Sequence, residues 1–438
     1  MTAVTAGPGP GLAGSGLVGQ PAAGGPPEQA NTPRPDAAPR GPVGGISAAR
    51  PPLIRALNEK LLLEHIRTLG PCSRAELARA SGLSKPTVSL ALTNVERSGL
   101  VQAAGQRTGV PGRSAVLYEI RPDAGLVLGL DIGHEYMRGA IADLAGEIRA
   151  RSTLRARASS VRGRVAELVR LGEVLCDEAG VSRSAITQTV IGSPGFYDPG
   201  RNAMALTGGL AGWDRPAALA SLRAAFGESV VMENDVDAEA MAERALGHGR
   251  NVDDFAFVHV GTGIGMGLVL GGRLRRGVHG AAGEIAYMPL SEGPGTDETD
   301  ARKRGVLEAT VSAAAVVRAG RKAGIRGPLT ARRVFDAAAR GDERAVTVVA
   351  EEARLVAKAI SAIVTVVDPG LIVLGGGIGQ APGFADAVGG ELQALVPVRP
   401  IVRVSALGSD AVVDGCLAAG GDLAWNRLMA ALPTGAPA

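Results

Sequence analysis

The sequence predicts an α/β protein built from two tandem halves, with a smaller helical domain ahead of them. In the second part of the chain, apolar strand-like runs alternate with helical patterns twice over, which is typical of sheets covered on both faces. Apolar residues make up 46% of the 438 residues and aromatic residues only 3%, which suits buried parallel strands. Ahead of this region lie three helical segments and two short strands.

The domain boundaries follow from composition. Thirty of residues 1–50 are Gly, Pro or Ala without periodicity, and such a segment buries too little apolar surface to offset its ordering entropy. We therefore expect a disordered tail at 1–50. A helical domain with a hairpin is expected at 53–120, a long α/β domain at 124–430 and a flexible tail at 431–438.

Charge is unevenly distributed along the chain. The formal net charge is +3, and residues 51–120 hold nine Lys and Arg against five Asp and Glu, whereas the chain from residue 121 onward is nearly balanced. A basic surplus in one short segment is typical of nucleic-acid binding. An ordinary surface fluctuation would produce the same count, and charge alone does not separate the two.

Cysteine usage and hydropathy favour a cytoplasmic protein without membrane contact. Cys72, Cys176 and Cys416 are far apart and odd in number, which indicates neither a disulfide framework nor a Cys-based zinc site. No basic-then-apolar signal peptide opens the sequence. The one long uncharged run, Phe255 to Gly272, contains six glycines and is better explained by turns between strands than by a membrane span.

The first domain is predicted to begin with two helices. Leu53, Leu57, Leu61, His65 and Leu69 recur at helical spacing, and Gly70-Pro71 ends that helix. The second helix starts at Ser73, whose hydroxyl is expected to cap it while Glu76 completes a capping box. It stops at Ser81-Gly82.

A third helix and a hairpin complete a predicted winged helix-turn-helix. Ser84 is expected to cap the third helix, and Val88, Leu92 and Val95 form its inward stripe. Polar side chains on the outward face and on the hairpin loop suit contacts with phosphates and base edges. The predicted DNA-binding residues are Ser84, Lys85, Thr87, Ser89, Thr93, Arg107 and Arg113. The alternative is a helical interaction domain that touches no DNA.

Seven motifs in the rest of the chain identify a resemblance. They are DIG at 131–133, SPGF at 193–196, ENDVDAEA at 233–240, GTGIGMG at 261–267, AGEI at 282–285, LEATVS at 307–312 and LGGGI at 374–378. From Gly129 to about Gly420, and including the helix-turn-helix, the chain resembles the ROK family, whose name stands for repressors, open reading frames and sugar kinases. The resemblance implies an actin-like, ribonuclease-H-like fold of two lobes, in which sugar and ATP meet in the cleft.

The resemblance implies a sugar site and a nucleotide-like motif. Asp235 corresponds to the catalytic base of the kinases, which takes the proton from a sugar hydroxyl. The implied sugar-binding residues are Asn234, Asp235, Glu284, Tyr287 and Glu308. The nucleotide-like motif comprises Asp131, Gly133, Gly261, Thr262, Gly263, Gly265, Gly375 and Gly376. Glycines there let backbone N–H groups approach a phosphate, although a tight hairpin needs such glycines too.

Two departures from the family pattern concern metal and phosphate. Tyr287 stands where relatives carry a zinc-binding His, and Thr299, Ala301 and Val306 stand where they carry Cys, so we expect no zinc and no other metal. Glu135 follows the DIG turn where kinases have Thr. A carboxylate beside a triphosphate repels it by roughly a few kcal/mol, which puts ATP binding in doubt.

These expectations favour a sugar-responsive transcription regulator, in the form of a repressor, rather than an enzyme. Its expected partners are operator DNA, a small sugar or sugar derivative, and further copies of the chain in a homodimer or homotetramer, because paired recognition helices match paired half-sites. The alternatives are an ATP-dependent sugar kinase with an appended DNA-binding domain, and a scaffold that binds neither sugar nor nucleotide.

Overall fold

The structure is a computed structural model that describes residues 51–107, 115–290, 301–302 and 304–432. The tail predicted at 1–50, the hairpin loop at 108–114 and residues 433–438 of the second predicted tail lie outside the described residues. Leu432, which that second tail was expected to include, is only 6% exposed. Among the described residues no helix is long and apolar enough to cross a membrane.

The first domain consists of three helices and a small antiparallel sheet. Its elements are α1 (Pro51–Leu69), β1 (Cys72–Ser73), α2 (Arg74–Ser81), α3 (Lys85–Arg97), β2 (Val101–Arg107) and β3 (Ala115–Ile120), with strand order β1-β3-β2. The capping box of Ser73 and Glu76 is present, and the Ser84 hydroxyl accepts the Thr87 N–H as predicted. This order of elements is the one expected for the predicted winged helix-turn-helix, and we keep that name for the domain.

Helix α1 buries side chains other than the leucines from which it was predicted. The helix itself is present, but Leu53, Leu57 and Leu69 are about half exposed. The side chains of α1 that enter the domain core are Ala56, Leu62, Leu63 and Ile66. With the buried Glu59 included, this set also recurs every three or four residues, so helical spacing alone could not tell which set faces inward.

The first lobe is built on a five-stranded mixed sheet with the order β10-β7-β4-β5-β6. Its elements are β4 (Leu126–Ile132), β5 (Tyr136–Asp143), β6 (Ile148–Arg155), α4 (Val161–Ala179), β7 (Ile186–Ser193), β8 (Phe196–Asp198), β9 (Ala203–Ala205), α5 (Pro216–Phe226) and β10 (Val231–Asn234). Strands β4, β5 and β6 form an antiparallel meander, and β7 and β10 add to it in parallel.

The second lobe repeats this order after α6 (Asp235–Leu246). Its sheet runs β13-β12-β11-β14-β15, again a meander with two parallel strands added beside its first strand. The elements are β11 (Phe255–Val260), β12 (Ile264–Leu270), β13 (Arg273–Leu274), α7 (Val306–Thr310), α8 (Ala313–Lys322), α9 (Ala331–Ala339), α10 (Glu343–Val367), β14 (Leu371–Gly375), α11 (Gly376–Gly379), α12 (Phe384–Leu395) and β15 (Ile401–Val404). The last helix, α13 (Ala411–Ala431), returns to the first lobe. The prediction of two α/β halves is confirmed.

Helix α13 belongs to two cores at once. Its first half packs on the sheet of the first lobe through Val413 and Leu417. Its second half places Trp425 and Met429, followed by Leu432, in the core of the winged helix-turn-helix together with Leu62 and Ile66 of α1. The three cysteines predicted to be unpaired are free and buried, at positions 72, 176 and 416.

Candidate functional site

A cavity of about 650 Å³ lies where the two lobes face each other. Its wall includes residues of the first lobe, such as His134 and Gly195, and of the second lobe, such as His259 and Met266. The five residues predicted to bind sugar also line it, namely Asn234, Asp235, Glu284, Tyr287 and Glu308. A cavity of this size and composition suits a small polar ligand.

Asn234 and Asp235 are positioned by the junction of β10 and α6. The Asn234 amide caps α6 by accepting the Asp237 N–H at 2.9 Å, and its Nδ2 donates to the Gly195 carbonyl at 2.9 Å. Asp235 is the first residue of the helix, where the helix dipole favours a negative charge. Burial, and then the charge of Glu239, raise the pKa of Asp235 to about 6. The rigid cap therefore aims a carboxyl group with weakened acidity into the cavity.

Glu284, Tyr287 and Glu308 approach from the second lobe. Glu308 Oε2 accepts the Ile264 N–H at 3.3 Å, which ties it to the glycine-rich turn before β12. Burial, and then the charges of Asp235 and Glu308, raise the pKa of Glu284 to about 7. Tyr287 is 43% exposed at the edge of the cavity, and burial raises its pKa as well. The carboxyl groups are thus close enough to influence each other's ionisation.

The structure brings only part of the predicted nucleotide-like motif to the cavity. Thr262, Gly263 and Gly265 line it. The other members of the motif are described by the structure but do not belong to the cavity wall, namely Asp131, Gly133, Gly261, Gly375 and Gly376. A Cβ added at Gly261 or at Gly376 would lie 2.8 Å from Nε2 of His259, so an imidazole ring fills the space between the two glycine segments.

Asp131 is already paired with an arginine. Arg138 on the neighbouring strand donates to its carboxylate at 3.4 Å, and the Arg138 Nε lies 3.8 Å from Asp410. Burial, and then the charge of Asp235, raise the pKa of Asp131 to about 7. Glu135, which the sequence singled out as repelling phosphate, is exposed and does not line the cavity, whereas its neighbour His134 does.

His259 and Glu239 form a charged pair that the sequence interpretation missed. The Nδ1 atom of His259 lies 2.7 Å from Oε2 of Glu239, one helical turn beyond Asp235 on α6. Burial acts to lower the pKa of His259, but the Glu239 carboxylate outweighs it and raises the pKa to about 9. The only signal in the sequence was a lone His in the apolar strand that ends before Gly261. A His in such a position is more often a core residue.

Asp237 is a second missed residue. It lines the cavity, is only 3% exposed, and its Oδ1 has no hydrogen-bond partner among the described residues. Burial, and then the charge of Glu233, raise the pKa of Asp237 to about 8. A buried oxygen without a partner is costly in a folded protein, so a ligand hydroxyl at this position would relieve that cost.

Metal binding receives no support from the described residues, where no group of three or more His, Cys, Asp or Glu could hold an ion. Tyr287 and Ala301 stand at two of the positions where the family has zinc ligands, and they carry neither an imidazole nor a thiol. Position 299 lies outside the described residues.

The candidate DNA-binding residues that the structure describes lie at the N-cap of α3, along α3 and at the end of β2. Ser84 and Lys85 are exposed, while Thr87, Ser89 and Thr93 are partly exposed. Leu90, between them, is 55% exposed. Arg107 donates to Glu76 at 2.6 Å and is therefore held against α2. Arg113 lies outside the described residues.

The two lobes and the carboxylate-lined cavity between them define a sugar-kinase type of fold, preceded by a small domain of three helices and a three-stranded sheet. The ROK family model matches residues 127–417, and the chain belongs to that family. This result confirms the predicted membership and the actin-like fold.

Three comparisons illustrate the relationship. The xylose repressor of Bacillus subtilis (strain 168) is 28% identical over 237 residues, which cover 54% of this chain and 61% of that protein. A crystal structure of a ROK family transcriptional regulator, a homologue of the E. coli MLC protein, superposes with a TM-score of 0.71 at 22% identity over 87% of this chain and 99% of that one. The ROK hexokinase from Thermus thermophilus superposes with a TM-score of 0.60 at 29% identity over 69% and 99%.

Proposed function

We propose that this protein is a sugar-responsive transcription regulator, a repressor, whose cleft binds a carbohydrate without phosphorylating it. The observation that carries the proposal is the convergence of Asn234, Asp235, Glu284 and Glu308 in one cavity of a domain whose last helix completes the core of a winged helix-turn-helix. Similarity to a protein named xylose repressor supports both the response to a sugar and the role as a repressor.

The cavity suits a polyol because it offers many acceptors for hydroxyl groups. Glu284 and Glu308 face Asp235 across the cleft, and a carboxylate accepts several hydrogen bonds at once. A sugar that bridges the lobes through these groups would hold them in one closed arrangement. Such a ligand changes the protein's conformation only if it binds the closed and open arrangements unequally.

A continuous route of contacts connects the sugar cleft to the winged helix-turn-helix. Asp235 lies at the start of α6, and α6 packs so closely on α13 that a Cβ at Gly415 would collide with the Ala238 carbonyl. Further along α13, Asp422 accepts from Arg67 of α1 at 3.0 Å and Trp425 donates to Glu64. A displacement of α6 on sugar binding would therefore move the helix on which the DNA-binding domain is mounted.

On the DNA side, we propose α3 as the recognition helix. Lys85 and Ser84 are exposed at its N-terminal end, where recognition helices contact base edges and phosphates. Two copies of the chain, in a homodimer or homotetramer, would present two such helices to paired half-sites. The salt dependence of binding then reports how many phosphates are contacted.

Two features weigh against phosphoryl transfer. The Asp131 carboxylate is held by Arg138, so it is not free to organise Mg²⁺, and the His259 ring fills the space between the two glycine segments. The exposed Glu135 contributes less than the sequence suggested, because screening by water weakens its effect. We therefore expect that Mg-ATP binding stays undetectable by calorimetry in the single variant Glu135→Thr. Nucleotide binding by that variant would show that Glu135 is the obstacle.

One observation favours the kinase alternative. Asp235 has a pKa raised to about 6, which suits a general base acting near neutral pH. That alternative predicts ATP turnover with some sugar, and the turnover must disappear in Asp235→Asn. An assay that couples ADP release to a colour change, run over a sugar panel, decides between the two functions.

The proposed function is tested by thermal melting of the full-length protein against a panel of sugars and sugar phosphates. A sugar present at a hundred times its Kd should stabilise the protein by about 2.7 kcal/mol. Asn234→Ala should abolish the shift, whereas Asn251→Ala, a substitution in a turn outside the cavity, should retain it. If no sugar raises the Tm of the wild type, the sensor function is wrong.

A further inference from the structure

A second cavity of about 420 Å³ lies beside the sugar cleft. The two cavities share three wall residues, Asn234, Asp237 and Gly280. One of these is a glycine that adopts a left-handed φ of 80°, and a Cβ there would meet the Phe196 ring and the Tyr197 carbonyl. The two cavities are therefore adjacent, and a side chain at position 280 would press on Phe196 and Tyr197 in the wall of the second cavity.

The wall of the second cavity combines an apolar surface with a few polar groups. Phe196 and Tyr197 of β8 contribute half-buried aromatic rings, and Met241 contributes a flexible apolar side chain. Arg276 forms a two-pronged ion pair with the buried Glu233. Small-molecule sites generally have this composition, with volumes of about 300–1,000 Å³.

Asp237 and Asn234 are the two polar residues that both cavities share, and within the described part of the chain Asp237 is the one with an unsatisfied oxygen. Its Oδ1 is buried and has no hydrogen-bond partner among the described residues, and its backbone is fixed by the Asn234 cap. A sugar hydroxyl placed between the cavities would donate a hydrogen bond to this oxygen. The ring faces of a sugar are apolar and its rim is polar, which matches the aromatic walls and the charged groups of the second cavity.

From these observations we propose that the effector is a disaccharide, with one ring in the cleft and the linked second ring in the second cavity against Phe196 and Tyr197. The proposal rests on the proposed function, since it assumes that the cleft binds a sugar. It also assigns a role to the far wall, because Ala419, Asp422 and Leu423 belong to α13. Asp422 is the residue that accepts from Arg67 of the winged helix-turn-helix. The second ring would thus touch the helix that carries the DNA-binding domain.

The test is isothermal titration calorimetry on the full-length protein with matched pairs of sugars. The pairs are glucose with maltose and cellobiose, xylose with xylobiose, and N-acetylglucosamine with its β-1,4 dimer. We expect at least one disaccharide to bind at least tenfold more tightly than its own monosaccharide, with one disaccharide bound per chain.

Two variants locate the second ring. Tyr197→Ala removes an aromatic wall, and Ala419→Phe fills the second cavity from α13; neither residue lines the cleft. Both should reduce the disaccharide affinity to that of the monosaccharide and leave the monosaccharide affinity unchanged. Tyr197→Ala tests the idea even if the larger substitution prevents folding.

The outcomes separate the inference from the proposed function. Monosaccharides that bind as tightly as any disaccharide, disaccharide affinities unaffected by Tyr197→Ala, or two monosaccharides bound per chain would each overturn the disaccharide assignment and leave the sugar sensor in place. Absence of binding by every sugar would overturn the sensor as well.

Discussion

Replacing Trp425 by Ala should detach the winged helix-turn-helix from the sensor while the sensor stays folded. Trp425 is 2% exposed, donates to Glu64, and lies 5.4 Å from the Arg67 guanidinium. Truncating a buried Trp to Ala costs about 3–5 kcal/mol. For a domain of fewer than 100 residues, 1 kcal/mol shifts the Tm by roughly 4–8 °C, so we expect its Tm to fall by well over 10 °C.

Differential scanning calorimetry measures the effect, and the other tryptophan supplies the control. Trp213 is 1% exposed in the core of the first lobe and donates to Ser193 at 3.1 Å. Trp425→Ala should yield an early transition for the DNA-binding domain and a sensor transition that sugar still raises. Trp213→Ala should lower the sensor transition instead. A single transition in Trp425→Ala, or an unchanged response of DNA affinity to sugar, would refute the role of α13 as the connection.

Three further predictions follow from particular contacts. Gly415→Ala should weaken the effect of sugar on DNA affinity more than it weakens sugar binding, because the new Cβ forces α13 away from α6. The control is Gly421→Ala on the same helix, whose Cβ meets nothing within 4 Å. This variant should behave as the wild type in anisotropy titrations. Glu352 is buried on α10, and burial raises its pKa to about 8 from 4.5, so the folded form binds the proton more tightly and stability falls as pH rises from about 5 to 9. Glu352→Gln should remove that loss of stability. Its free energy of unfolding in urea should exceed that of the wild type by at least about 1.4 kcal/mol at pH 9, with no comparable gain at pH 4. Equal differences at both pH values would contradict the raised pKa. Lys85→Ala should reduce the magnitude of the slope of log K against log salt concentration for DNA binding by about 0.9. The control Lys322→Ala on α8 should leave the slope unchanged. An unaltered slope in Lys85→Ala would show that Lys85 does not contact a phosphate.

Local signals predicted much of the first domain. The cap at Ser73, the cap at Ser84 and the inward stripe from Val88 to Val95 are all present, because capping and helical spacing depend on residues within one or two turns. The same kind of spacing predicted helix α1, but not the face that α1 buries. The sequence of the helix alone does not determine which of its two sides packs against the rest of the chain.

Long-range partners could not be predicted from spacing. Trp425, Met429 and Leu432 complete a core whose other buried members lie more than 300 positions earlier, and the sequence near them looks like any apolar helix. The pairing of Arg138 with Asp131 shows the same effect at the cleft. The motif assigned Asp131 to a nucleotide-like site, and only the structure shows that the neighbouring strand supplies a cation for its carboxylate.

The candidate sugar residues came together as the family motifs implied, but the residues around them needed the structure. His259 and Asp237 look like a core residue and a surface residue in the sequence, and only the cavity shows that they face a ligand space. Gly261 and Gly376 look like phosphate-binding glycines, and only the packing shows that the His259 ring lies between them. Whether these side chains bind sugar stays a prediction.

The central claim is that sugar bound between Asp235 and Glu284 changes how tightly the protein binds DNA. Fluorescence anisotropy on DNA that the protein selects from a random pool, titrated with the sugar that most raises the Tm, measures this directly. We predict that DNA affinity changes at least tenfold in the wild type and in the surface control Glu391→Gln, and stays constant in Glu284→Gln. A wild-type DNA affinity that no sugar alters, or an unchanged response in Glu284→Gln, would contradict it.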